Sequence, residues 1–309
     1  MNNLGGAIMR ILLFSLTLLC AVLPAVAQDK SKEEIEREKR FQEEASNVNK
    51  DTTVLSGWKH TAATGLNLSE MSFTNWAAGG ENALSYTLWV QGRSALYGER
   101  TVWKNSYKLA FGQARLADAG LRKTDDEIYV ETFLVYKIAT TINPYAAATL
   151  RTQFAPGYSY IADVGTKVSK FFDPAYITQS AGAAYQPLPG LSTRVGLALR
   201  EVVTSVFTQY ANDANTTDVK KVRVNGGLES VSELSTMVVE NVGLVARLEL
   251  FSPFDAMDRI IVRNDYAVIA KVNEYITTNL TLNLINDVTV TPRTQVKQAL
   301  TLGVTYNLL

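Results

Sequence analysis

Leu300-Thr301-Leu302-Gly303-Val304-Thr305-Tyr306-Asn307-Leu308 alternates without a break. Leu300, Leu302, Val304, Tyr306 and Leu308 fall on one side of an extended chain, and Thr301, Gly303, Thr305 and Asn307 on the other. Successive side chains of a strand point to opposite faces, so this is a strand with one apolar and one polar face. The pattern recurs towards the N-terminus. Thr278, Leu280, Leu282 and Leu284 oppose Asn279, Thr281 and Asn283, and Val242, Leu244, Ala246, Leu248 and Leu250 oppose Gly243, Val245, Arg247 and Glu249. Val195, Leu197 and Leu199 oppose Arg194, Gly196, Ala198 and Arg200, and Leu84, Tyr86, Leu88 and Val90 oppose Ser85, Thr87, Trp89, Gln91 and Arg93. Turn residues divide the chain after Gly57 into twelve expected strands, near 58–68, 83–97, 102–116, 126–138, 143–154, 175–186, 191–203, 222–236, 242–251, 260–270, 277–286 and 295–308. Most reach ten residues or more, beyond the ~5–6 usual in soluble sheets.

The lengths of the connections turn this list of strands into an architecture. Short links around 98–100, 140–142, 187–190, 240–241 and 273–274 alternate with longer ones at 69–81, 117–125, 155–174, 204–221, 252–258 and 287–293. An outer-membrane barrel has short periplasmic turns and longer extracellular loops, so its connections must alternate in this way; a soluble sandwich has no such reason. The expected fold is a single antiparallel up-and-down transmembrane β-barrel over 57–309, its polar faces turned to the lumen. Trp58, Trp103, Tyr145, Tyr185, Tyr266 and Tyr306 stand near strand ends, where an aromatic girdle would fall.

The N-terminus fixes the compartment. Arg10 precedes an apolar run over 11–23, and Ala25-Val26-Ala27 ends it before Asp29 and Lys30. That is the form of a secretory signal peptide cleaved after Ala27. Residues 28–56 form a polar periplasmic arm, helical or disordered, whose apolar residues are too sparse to bury. Cys20, the one cysteine, lies inside the signal segment, which leaves no disulfide and no thiolate chemistry in the mature chain. Thirty basic residues balance thirty acidic ones, so nothing in the charge points to nucleic acid. The expected location is the outer membrane of a diderm bacterium. The expected partners are its lipid and lipopolysaccharide and, during assembly, the barrel-insertion machinery, and the barrel is expected to be a monomer.

Five ordered runs resemble the signatures of an outer-membrane β-barrel family of the Bacteroidetes and Chlorobi known as a domain of unknown function. They are Thr74-Asn75-Trp76-Ala77-Ala78-Gly79-Gly80-Glu81-Asn82, Arg122-Lys123-Thr124-Asp125-Asp126, Gln153-Phe154-Ala155-Pro156-Gly157-Tyr158, Phe171-Phe172-Asp173-Pro174-Ala175-Tyr176 and Leu248-Glu249-Leu250-Phe251-Ser252. The resemblance extends from Trp58 to Leu309. Leu308 stands where such barrels usually carry a terminal aromatic residue, and the 204–221 loop matches no signature.

Few residues suggest chemistry, and the sequence reading expects no catalytic residue, no metal and no cofactor. His60 is the one histidine; without a serine-centred elbow beside it, it reads as a lumen or interface residue rather than a base. Asp125-Asp126-Glu127 lacks the ordered ligand spacing of a calcium loop and reads as a solvated loop. Asn75, Trp76, Gly79 and Gly80 form either a partner contact or a tight loop whose glycines supply positive φ. Arg93, Arg194, Arg200, Arg247 and Glu249 are the candidate lumen-selectivity residues, joined in the lumen by Lys108, Glu131 and Lys137. Such charges either select solutes, as charge rings do in porins, or fill a narrow interior as ion pairs.

Overall fold

The computed structural model describes residues 56–72, 82–116, 120–161, 163–212, 219–273 and 275–308. The signal segment, the polar arm up to residue 55 and the residues Asn75, Trp76, Gly79 and Gly80 lie outside the described residues.

Fourteen strands follow in chain order: β1 (Gly57–Met71), β2 (Ala83–Tyr97), β3 (Thr101–Leu116), β4 (Arg122–Tyr136), β5 (Ile142–Thr152), β6 (Gly157–Ile161), β7 (Val164–Ser169), β8 (Ala175–Leu188), β9 (Leu191–Val203), β10 (Val222–Val239), β11 (Val242–Pro253), β12 (Ile261–Lys271), β13 (Ile276–Asn286) and β14 (Gln295–Asn307). Twelve of them close an antiparallel barrel in the order β1-β14-β13-β12-β11-β10-β9-β8-β5-β4-β3-β2. The expected strands correspond to these twelve. β1 and β14 seal the barrel through a ladder from Ala63↔Asn307 to Leu68↔Leu302, so no edge is left open along that stretch. Gly190 (φ 80) and Asn241 (φ 65) occupy the left-handed region in two of the tight turns, where a short link between long strands needs it.

The secondary structure departs from the sequence reading in two places. The 155–174 connection contains a separate hairpin, β6 paired with β7, whose strands of five and six residues are too short to show a periodicity. The run Asp125-Asp126-Glu127 is no solvated loop but part of β4. Each carboxylate meets its own cation there: Asp125 with Lys297 at 2.9 Å, Asp126 with Lys123 at 2.8 Å and Glu127 with Lys108 at 2.8 Å. Local sequence shows three adjacent acids with Lys123 nearby and cannot show Lys297 and Lys108, which β14 and β3 bring.

The alternation sorts inside from outside as expected. Leu300, Leu302, Val304 and Tyr306 of β14 are all more than half exposed, while Gly303 between them is buried. Leu88, Val195, Leu197, Val224 and Leu280 continue this apolar exterior around the barrel. No aqueous surface explains so continuous an apolar belt on a closed barrel, and lipid does. At the short-turn end Tyr306, Trp58, Trp103, Tyr136 and Tyr185 face outward and are exposed, forming an aromatic girdle. Trp58 packs on Trp103 with ring centroids 5.7 Å apart, and Trp103 Nε1 donates to Thr132 Oγ1 at 2.7 Å. Tyr145, expected in that girdle, points inward and is buried, because its register with Gly182 puts it on the lumen face. Inside, a Cβ on Gly65 would lie 2.5 Å from Trp89 Cζ2, so only glycine leaves room for the indole against the wall.

Candidate functional site

The lumen is crossed by ion pairs. Arg247 of β11 reaches Glu131 of β4 on the far wall at 2.7 Å, Glu249 on its own strand at 2.6 Å, and Glu233 on β10. Glu131 also takes Arg194 of β9 at 2.6 Å and the hydroxyl of Tyr129. Arg151 of β5 bonds both oxygens of Glu249, at 3.2 and 3.3 Å, and lies 3.5 Å from Glu127. Nearer the long-loop end, Arg200 bonds Asp287 at 3.0 Å. Aromatic rings fill the gaps: Arg194 sits over Phe133 and Tyr145, Arg151 over Tyr129, and Arg200 over Tyr176 and Phe251. Paired and hydrogen-bonded charges of this kind are tolerated out of bulk water, where single ones are costly.

All five charged candidates therefore face the lumen, in two distinct settings. Arg194, Arg200, Arg247 and Glu249 belong to the brace. Arg93 does not: its Nε donates to Ser106 Oγ at 3.3 Å and the side chain is exposed. The seventh and ninth expected strands, which carry the four brace residues, are not sufficient by themselves. The decisive partners are Glu131 and Arg151, brought from β4 and β5 across the barrel. Glu131 is recognisable in the sequence as an inward residue; its role as the acceptor shared by two arginines is not.

Exposure divides the lumen. On the β4-to-β11 side the inward residues Glu131, Tyr145, Ala198, Arg194, Val202, Glu229, Val231 and Phe251 are buried. On the β14–β1–β2–β3 side the inward residues Lys297, Lys108, Gln91, Arg93, Thr61 and Lys59 are exposed. One half is thus filled by its own side chains; on the other, accessible and mostly cationic polar residues stand among the buried Ala95, Tyr97, Val102 and Ala110, and two of those cations, Lys297 and Lys108, are paired with Asp125 and Glu127. Lys59 and Lys104 on that side were open to sequence reading, since Lys104 shares the parity of Lys108. Nothing in the sequence marks them as lacking an acidic partner.

A second constellation joins three of the sequence signatures at the long-loop end. Asp126 accepts the backbone N–H of Phe154 at 2.7 Å and of Ala155 at 2.8 Å, while Lys123 Nζ bridges Asp126 and the carbonyl of Ala155. Arg122 reaches Asp163 at 2.7 Å beside the β6–β7 hairpin and lies over the Tyr160 ring. Gln153 Nε2 donates to the carbonyls of Lys170 and Asp173, both at 2.8 Å. The buried Asp173 carboxylate accepts from Ser205 Oγ and from the backbone N–H of Val206, both at 2.7 Å. Burial pushes that carboxyl up, but the donors at Val206, Ser205 and Phe207 outweigh it and hold it below its ordinary value. These motifs serve to pin loops to the barrel rim.

His60 lies on the outer face, exposed, stacked on Trp58 with its Nδ1 2.9 Å from Ser94 Oγ. Among the described residues no cluster of three or more His, Cys, Asp or Glu side chains is placed to hold a metal ion.

Residues 68–158 match a family described as "Protein of unknown function (DUF3078)". The matched stretch contains the first three signature runs; those at 171–176 and 248–252 lie beyond it. Among curated proteins none matches the chain. Among solved structures it is similar to the translocator domain of the autotransporter NalP from Neisseria meningitidis, at 11% identity, covering 89% of this chain and 95% of that one with a TM-score of 0.38. It is also similar to the NanC porin, at 10% identity, 80% and 100% coverage and a TM-score of 0.39. An outer membrane channel from Pseudomonas putida F1 is similar at 14% identity, with 82% and 96% coverage and a TM-score of 0.36.

Proposed function

We propose that this protein is a non-enzymatic, monomeric barrel of the bacterial outer membrane that passes small solutes through one half of its lumen. The observation that carries this reading is the split in exposure: most of the β4-to-β11 half is filled by ion pairs and aromatic rings, and the β14-to-β3 half presents accessible polar side chains at Lys59, Thr61, Gln91, Arg93, Lys108 and Lys297. A twelve-stranded barrel lies between the filled eight-stranded and the open sixteen-stranded cases. Bracing one side leaves a narrow, eccentric path suited to small solutes. The chain is exported by the signal segment ending at Ala27, its short turns face the periplasm, and lipid and lipopolysaccharide contact the apolar belt. His60 and Ser94 face the bilayer beside Trp58 and serve the girdle.

The experiment is single-channel recording of the refolded chain in planar bilayers, where small, discrete conductance steps are expected. A second reading is favoured by the contacts that span the lumen, Arg247–Glu131, Arg151–Glu249 and Lys297–Asp125. In that reading the barrel is plugged and structural, presenting its clamped loops to a partner. Silent bilayers under conditions that insert folded protein would establish it in place of the channel.

A further inference from the structure

Three cations on the inner face of β1–β3 surround one small residue; Lys59 and Arg93 are exposed and Lys104 is partly buried. Lys59 of β1 and Lys104 of β3 both pair in register with Ala95 of β2, and Arg93 lies two residues along β2 on the same face. Neighbouring strands are ~4.7–4.9 Å apart, so the two lysines start roughly 10 Å from each other with Ala95 between them. Arg93 starts roughly 7 Å from Ala95 along the strand. Ala95 carries only a methyl group and is 3% exposed, covered by what stands around it. It forms a floor towards which three long basic arms can converge.

Among the described residues, none of the three cations has a carboxylate at ion-pair distance. Arg93 donates only its Nε, to Ser106, and both terminal nitrogens of its fork bond no described residue. Lys104 lies near the Phe133 ring, its Nζ 5.9 Å from the centroid, and feels Glu233 and Glu131 only from beyond pairing range. The contrast with the brace is sharp: Arg151, Arg194, Arg200 and Arg247 each hold a carboxylate. Three like charges with no described carboxylate at pairing distance, beside the hydroxyls of Thr61 and Ser106, form a site for a compact multivalent anion. An Arg fork matches two oxygens of a phosphate or carboxylate, and lysines add point charge.

We propose that Lys59, Arg93 and Lys104 form a binding cradle for small oxyanions bearing two negative charges, phosphate or dicarboxylate, at the short-turn end of the lumen. As a step in permeation the cradle rests on the channel reading; as a binding site it does not. The test therefore has two arms. In the first, the chain refolded in lipid vesicles is titrated with inorganic phosphate and with succinate at constant ionic strength, chloride serving as the monovalent control, and binding is followed calorimetrically. Saturable binding of either dianion is expected, weakened on the order of tenfold by R93Q, as the loss of one charge-assisted contact implies. K59Q, at an exposed position that tolerates change, should weaken it likewise, and K104R should retain what K104Q loses. Phosphate without succinate, or the reverse, assigns the ligand class. Absence of saturable binding, or binding indifferent to all three substitutions, overturns the cradle. In the second arm, reversal potentials in planar bilayers under a salt gradient should show anion preference that falls in R93Q and K59Q. Dianion binding by a barrel that never conducts would keep the cradle and remove the channel, whereas conductance without dianion binding would do the opposite.

Discussion

Asp126 accepts the backbone N–H of Ala155 at 2.8 Å, with its other oxygen on the N–H of Phe154 at 2.7 Å. An acid on β4 thereby starts the 153–174 connection at a fixed point on the rim, and Lys123 closes the contact from the other side. The signature containing Asp126 and the one containing Ala155 are two halves of a single clamp.

Replacing Asp126 by Ala should release the β6–β7 hairpin without opening the barrel. Hydrogen bonds to a charged group contribute about 1.5–3 kcal/mol each, so the local loss is on the order of 3 kcal/mol. Limited proteolysis in vesicles should cut within 157–169 in the variant and spare the strands. Equal resistance of the two proteins would show that the hairpin is held by something other than Asp126.

The facing of β14 can be checked with a pair of arginines. Leu302→Arg puts a charge on the lipid face, which costs ~2–4 kcal/mol near the bilayer midplane. Thr301→Arg puts it in the lumen, beside other polar groups, and should be the milder change. Folded yield in lipid vesicles reads the difference, and similar yields from both would contradict the orientation described here.

Arg247→Ala should be among the most damaging lumen changes. It takes from Glu131, Glu233 and Glu249 the cation they share; Glu131 keeps Arg194 and Glu249 keeps Arg151, so the cost is at most the ~3–5 kcal/mol of a fully broken buried pair. Urea midpoints should fall well below those of Arg93→Ala, which strands no carboxylate. In bilayers the same variant should conduct more, because an arm spanning the lumen is gone.

Asp173 gives a pH dependence whose sign can be worked out. Its folded-state pKa is depressed below the ordinary 3.8, so the carboxylate adds stability that is present above that ordinary value. This stability is lost as pH falls through the depressed one. The protection factors of the Val206 and Phe207 amides, corrected for the intrinsic pH dependence of exchange, should be high at neutral pH and fall in acid. Asp173→Asn should remove most of that acid dependence, and an unchanged profile would assign it to another group.

The Leu300-to-Leu308 alternation, the twelve strand positions and the ordered switch between short and long connections were all legible in the sequence. Each is local: side-chain parity and turn residues are decided by neighbours in the chain, and a lipid-facing barrel imposes them strand by strand. Inward placement of Arg93, Arg194, Arg200, Arg247 and Glu249 followed from the same parity. What parity cannot supply is distance across a closed cylinder. Glu131 and Arg247 are far apart in sequence and meet only because closure of β1 onto β14 sets β4 opposite β11. The same closure assigned a carboxylate to each arginine of the brace and, among the described residues, left Lys59, Arg93 and Lys104 without one. It also brought Lys297 of β14 to Asp125 of β4, while the register of β5 with β8 turned Tyr145 inward. The sequence determined which side chains face the lumen. Only the tertiary structure decided which of those charges neutralise one another, because pairing energy depends on separation through space, and local periodicity carries no information about it.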